Sequence, residues 1–364
     1  ATTSGRTVTI TNAAANHALT VNVDGTGYNA AGAQQTTTIV DSIATSINVN
    51  ATGSKSDVAL TGSTAAKTVN ITGDADLTLA ALASATKLEG SAATGNLTLG
   101  TLNAATVTAS TGSGNDTLGI AATAKTTVDT GAGNDTVSLT SNVAAGSTIT
   151  LGAGDDKLLA DGGEVLASTT TATTTVDAGE GRDTVSASLI NAANAAQFVN
   201  FEELDLSASV ANLDVELMTG STIEGLTLSG DGGGATTAQV SNVAAGVGLT
   251  VSGDNANGGS TTIGVKGATA AASTDDSFAI TFDGEAAATA TATAKTAVEA
   301  GTVVLAGVEN VSVDSVGEGF VANNVVVTAD SLQSLTITGD KDLDLDFTGT
   351  NGTNVAGGGA VNLI

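Results

Sequence analysis

The sequence predicts an all-β protein, a parallel β-roll or β-solenoid, and three observations lead there. Short apolar runs alternate with polar residues, as at Val8 to Ile10 and Val69 to Leu79, and each supplies a strand with one buried face. Gly-Asp and Asn-Gly pairs, which turn a chain, punctuate these runs. The runs also repeat: Val69 to Leu79 returns as Leu335 to Leu345 with seven of eleven residues identical, Gly225 to Asp231 returns as Gly248 to Asp254, and Ser141 to Gly146 returns unchanged at Ser241 to Gly246. Repeated strand-turn units read as solenoid rungs that must stack to cover their apolar faces.

Composition supports a thin core. The 364 residues include one tyrosine, Tyr28, and six Phe, so the interior is expected to be ladders of Val, Leu, Ile, Thr and Ala. Proline is absent, as long runs of ladder hydrogen bonds require. Three segments could form short helices that cap or interrupt the stack: Val40 to Ile47, Leu77 to Leu88 and Ala192 to Phe198.

Charge narrows the partners. With 37 acidic and 10 basic residues the net charge is −27, which excludes electrostatic binding to nucleic acid or to an anionic membrane. No apolar run reaches the roughly 18 residues of a membrane span, and Ala1 to Ile10 lack the charged-then-apolar pattern of an export signal. The expected partner is a cation. Without cysteine there is no thiolate site, and a single histidine, His17, permits no histidine cluster. Oxygen ligands remain, and flexible loops rich in carbonyls favour Ca²⁺. Extracellular fluid supplies calcium at the concentration such loops need.

Four segments share one pattern: Gly112-Ser-Gly-Asn-Asp-Thr-Leu118, Gly131-Ala-Gly-Asn-Asp-Thr-Val137, Gly152-Ala-Gly-Asp-Asp-Lys-Leu158 and Gly179-Glu-Gly-Arg-Asp-Thr-Val185, spaced by 19, 21 and 27 residues. The glycine pairs are expected to adopt positive φ and curl carbonyls inward, the Asp supplies a carboxylate, and the apolar residue two positions later starts the next strand. A single such segment reads as a plain turn. Four in tandem, one per rung, place a cation between neighbouring loops and make stacking and ion binding one event.

These segments resemble the nonapeptide calcium-binding repeats of RTX proteins, which form parallel β-rolls. By position the resemblance makes Asp116, Asp135, Asp156 and Asp183 the side-chain ligands and gives Gly112, Gly114, Gly131, Gly133, Gly152, Gly154, Gly179 and Gly181 the loop-shaping role. Asp155 joins the ligand set beside Asp156. Two departures stand out. Thr111, Thr130, Leu151 and Ala178 replace the leading glycine, and the repeat comes once per rung instead of every nine residues, so only one edge of the roll should carry calcium. The fourth loop, with Arg182 at the fifth position, fits least well.

Asp342, Asp344 and Asp346 alternate and would share one strand face, a further candidate calcium site. They resemble the start of an EF-hand loop, but Phe347 stands where that loop needs glycine. His17 has no nucleophile motif near it and reads as a surface residue. Adjacent acids such as Glu202 and Glu203 point to opposite strand faces and make no acid/base pair, so no enzyme is expected.

Three regions follow: 1–105, a β-rich repeat region; 106–190, the calcium-binding roll; and 191–364, a second solenoid-like region. The Thr/Ala/Gly/Val-rich composition and the strands at Phe201 to Leu206 and Val308 to Val313 are similar to those of RTX-bearing bacterial S-layer proteins. That resemblance implies a calcium-dependent structural protein that assembles with itself on the cell surface or as an extracellular filament, with cell-surface polysaccharide as a further partner. The alternative is a module of a secreted RTX adhesin.

Overall fold

The computed structural model describes residues 5–11, 14, 16–29, 32–82, 84–103, 107–121, 124–160, 166–167, 173–229, 237–253, 259–269, 275–284, 296–317, 321–347 and 360–363. Among the described residues every pairing between strands is parallel, and within each of two units successive strands alternate between two sheets, the pattern of a coil of rungs. The chain divides into two compact units, residues 1–184 with 197–200, and residues 185–196 with 201–364.

In the first unit one sheet runs through Thr37–Val40, Ser56–Ala59, Leu77–Ala80, Leu97–Leu102, Thr117–Ile120, Thr136–Leu139 and Lys157–Ala160. The other runs through His17–Val23, Ala44–Ala51, Thr68–Gly73, Lys87–Ala93, Val107–Ser110, Thr126–Asp129, Thr148–Ala153 and Thr175–Glu180. Pairing continues without a break past residues 105 and 106, since Leu99 lies opposite Leu118 and Leu88 opposite Ala109. Inward residues stack on their own kind. Val58, Leu79, Leu99, Leu118, Val137 and Leu158 form one buried ladder. Ile47, Val69, Leu88, Ala109, Val128, Ile149 and Val176 form its counterpart in the facing sheet.

The second unit repeats the plan with longer strands. Leu204, Leu226, Leu249, Ile280, Val313 and Ile337 follow one another in register. The sequence repeats acquire a structural meaning here. Gly225 to Leu228 lies directly against Gly248 to Val251, so the repeat unit is one rung of the coil. Val69 to Leu79 and Leu335 to Leu345 are the same strand-corner-strand element in different units.

The helical expectation at Val40 to Ile47 and Leu77 to Leu88 is corrected: both are corners between strands. At the first, the Asp41 carboxylate accepts the backbone N–H groups of Ile43 and Ala44 at 3.2 and 3.0 Å and bends the chain. Inward residues on either side of such a corner fall three or four positions apart, which imitates a helical period. Within Ala192 to Phe198 a single 3₁₀ turn forms at Ala195–Gln197.

Tight stacking makes some glycines irreplaceable. Gly152 has φ +118°, and a Cβ there would stand 1.9 Å from the Gly131 carbonyl oxygen of the rung below. Gly246 has φ +90° but open space around it. Gly152→Ala should therefore cost about 3 kcal/mol or more, against about 1–2 kcal/mol for Gly246→Ala, where only the left-handed backbone resists. Thermal melts of the two variants give the order, and equal losses would mean that the rungs do not approach this closely.

A candidate metal centre along one edge of the coil

The four Gly-x-Gly-x-Asp loops lie one above another at the corner between the two sheets of the first unit. Gly152 pairs with Gly179, and the Ala132 N–H reaches the Gly112 carbonyl at 3.0 Å just as the Ala153 N–H reaches that of Gly131. Positive φ holds at Gly131, Gly133, Gly152, Gly154, Gly179 and Gly181. Gly112 and Gly114 depart from the expectation, because neither is in the left-handed region. Glycine is needed there for closeness alone, since their Cβ atoms would sit 1.9 Å from the Ala93 oxygen and 2.5 Å from the Gly95 oxygen.

Asp116, Asp135, Asp156 and Asp183 form a buried file, each at most 1% exposed. One oxygen of each carboxylate accepts a backbone N–H from the preceding rung at 2.7 Å: Asp116 from Leu97, Asp135 from Asp116, Asp156 from Asp135 and Asp183 from Asp156. The second oxygen separates them. Asp116 Oδ2 accepts the Gly112 N–H at 3.1 Å. Asp135 Oδ2 and Asp156 Oδ2 are buried with no hydrogen-bond partner. Thr130 does not fill that need, for its hydroxyl donates to the Leu151 carbonyl at 2.5 Å.

A buried carboxylate oxygen without a donor is costly, so the group must hold a proton or a cation. Burial, reinforced by the charge of Asp116, pushes the Asp135 carboxyl up to about 6. Burial together with the charges of Asp135, Asp183 and Asp155 pushes Asp156 up to about 7. Asp116 is raised by burial as well. Among the described residues no three acidic or histidine side chains converge on one point, so a cation here would be held by one carboxylate per loop and by loop carbonyls. That donor set is all oxygen and suits calcium.

Asp155 has a different role from Asp156. It is exposed and belongs to an outer file in which each side-chain oxygen accepts the N–H of the following rung: Asp76 from Asn96, Asn96 from Asn115, Asn115 from Asn134, Asn134 from Asp155 and Asp155 from Arg182, at 2.8–3.0 Å. Arg182 thus keeps its loop in register by its backbone, and the fourth loop stacks like the others. This asparagine file escaped the sequence reading, although its sign was present in Asn115 and Asn134 at the same position of successive repeats. The hydroxyls of Thr111 and Thr130, one residue before the glycine pairs, donate to the carbonyls of the next rung at 2.7 and 2.5 Å.

Asp342, Asp344 and Asp346 share the exposed face of the strand Asp342–Phe347, opposite Ala322, Asn324 and Val326. They lie in the second unit and are not part of the loop file. His17 departs from a plain surface residue: Nε2 pairs with the buried Asp41 carboxylate at 2.8 Å, and Nδ1 lies 2.6 Å from the Ala14 carbonyl. Both ring nitrogens are thereby engaged. No protein-family profile matches the chain, and no curated protein is similar enough in sequence to count as a relative.

Proposed function

We propose that this chain is a calcium-dependent structural protein that assembles with itself on the cell surface or as an extracellular filament, as an S-layer or filament subunit does. The observation that carries the reading is the buried aspartate file with unpartnered oxygens at Asp135 and Asp156. Asp116, Asp135, Asp156 and Asp183 would hold the ions, with carbonyls of the glycine loops completing the oxygen shell. A bound ion supplies charge neutralisation and cross-links rungs; it takes part in no reaction, and the protein is not an enzyme.

Self-assembly follows from the outer faces. In one sheet of the first unit Thr68, Lys87, Thr108, Thr127, Thr148 and Thr175 form one outward file, and Glu89, Ser110, Asp129, Thr150 and Asp177 the next. Such files repeat at the roughly 4.8 Å strand spacing and offer a second copy a regular surface. With a net charge of −27 the copies repel until divalent ions bridge facing carboxylates. Sheets or fibres are therefore expected above a threshold calcium concentration, dissolving in chelator, and sodium at equal ionic strength should not replace calcium. Light scattering followed by electron microscopy measures this. A calcium-loaded protein that stays monomeric at high concentration would favour the adhesin-module reading.

A further inference from the structure

A second feature of the first unit lies outside the calcium loops. The loop after His17–Val23, together with Arg6, encloses a cleft of about 400 Å³ whose wall includes Arg6, Asp24, Tyr28, Asn29 and Gln35. Its floor is fixed by hydrogen bonds. The Gln35 N–H reaches the Gly27 carbonyl at 2.6 Å, the Thr26 N–H reaches the Ser56 hydroxyl at 3.1 Å, and the Gln34 side-chain amide bonds the buried Asp57 carboxylate. Gly27 lies so close to the next rung that a Cβ would meet the Asp57 oxygen at 2.1 Å. Asn29 Oδ1 accepts the Ala33 N–H and ties the loop to itself.

The wall carries polar groups that the fold does not use. Among the described residues the Arg6 guanidinium, the Tyr28 hydroxyl and the Gln35 carboxamide make no hydrogen bond or ion pair. Asp24 gives one oxygen to the Ser54 N–H at 2.9 Å and keeps the other. Tyr28 is the only tyrosine in the chain, and Lys55, outside the cleft wall, stands 4.8 Å from its ring centroid.

We propose that this cleft binds a hexuronate residue, either free or as a unit of a polysaccharide. Arg6 pairs with the sugar carboxylate, and Asp24, Gln35 and the Tyr28 hydroxyl bond ring hydroxyls. Asp24 decides between anions, because a carboxylate in the same wall repels a dianion such as phosphate but accepts hydroxyl protons from a polyol. The volume lies within the range of small-molecule sites and admits one sugar ring with water. This ligand extends the structural reading without depending on it, since none of its residues belongs to the four loops.

The single tyrosine provides the probe. Protein carrying ¹³C-tyrosine, held in calcium below the assembly threshold, shows one set of ring signals, to be followed while glucuronate, glucose, acetate or an oligouronate is added. Glucuronate should shift these signals with a Kd of about 1 mM. Arg6→Gln should weaken glucuronate at least tenfold, leave glucose unaffected and keep the melting temperature. Tighter binding of the oligouronate assigns the site to a polysaccharide, and preference for the monosaccharide assigns it to a free sugar acid; both support the proposal. Signals unmoved by glucuronate and oligouronate, or moved equally by acetate, overturn it. A null titration beside a normal calcium-dependent melt would reject the sugar site alone.

Discussion

Chelation of calcium is expected to lower the melting temperature of the first unit by roughly 20 °C at pH 8, because each ion held well above its dissociation constant adds about 3–4 kcal/mol and four loops offer several places for one. The pH dependence of the metal-free protein gives the sharper test. Asp135 and Asp156 titrate near 6 and 7 in the fold, against 3.8 as ordinary aspartates. Between about pH 4 and 7 the folded chain therefore binds more protons than the unfolded one, and its stability falls as pH rises through that window. Metal-free protein should melt higher at pH 5 than at pH 8, while calcium-loaded protein should show the opposite order because the ion needs ionised carboxylates. Circular dichroism melts at both pH values, with calcium and with chelator, make the comparison. One pH order under both conditions would remove the aspartate file as the calcium site.

Asp156→Asn should act with opposite sign on the two forms. The amide oxygen can still accept the Asp135 N–H, so the rung contact survives while the buried charge and its repulsion from Asp135 and Asp183 are lost. At pH 8 the metal-free variant is expected to melt roughly 5 °C above the parent, and in calcium roughly 10 °C below it. An aspartate serving only as a turn residue would shift both melts in the same direction. By the same geometry Asp135→Ala, in a middle loop, should lose more calcium-dependent stability than Asp183→Ala.

Much of this was legible in the sequence because a solenoid writes its geometry as a period. The Gly-x-Gly-x-Asp segments announced their stacking through spacings close to one rung, and the inward ladders through alternation. What escaped were interactions that depend on register between distant residues. Nothing local marks His17 as the partner of Asp41, or Thr111 and Thr130 as donors to the rung above. The corner at Asp41 looked helical because its apolar neighbours carry the helical spacing. The expected left-handed Gly112 was misjudged for a related reason, since the sequence cannot separate a glycine chosen for its φ from one chosen for the nearness of the next rung. The Arg6–Tyr28–Gln35 cleft was invisible because no motif joins its parts.

The file of aspartates also has a direction. Each carboxylate grips the backbone N–H of the rung before it, so the Asp116, Asp135 and Asp156 N–H groups all wait for a residue that comes later in the chain. The outer asparagine file points the other way, each side chain gripping the amide of the rung after it, so every interface between neighbouring loops is held by one clasp from each side. A break at one loop would therefore open clasps of both kinds and loosen the rung on either side of it.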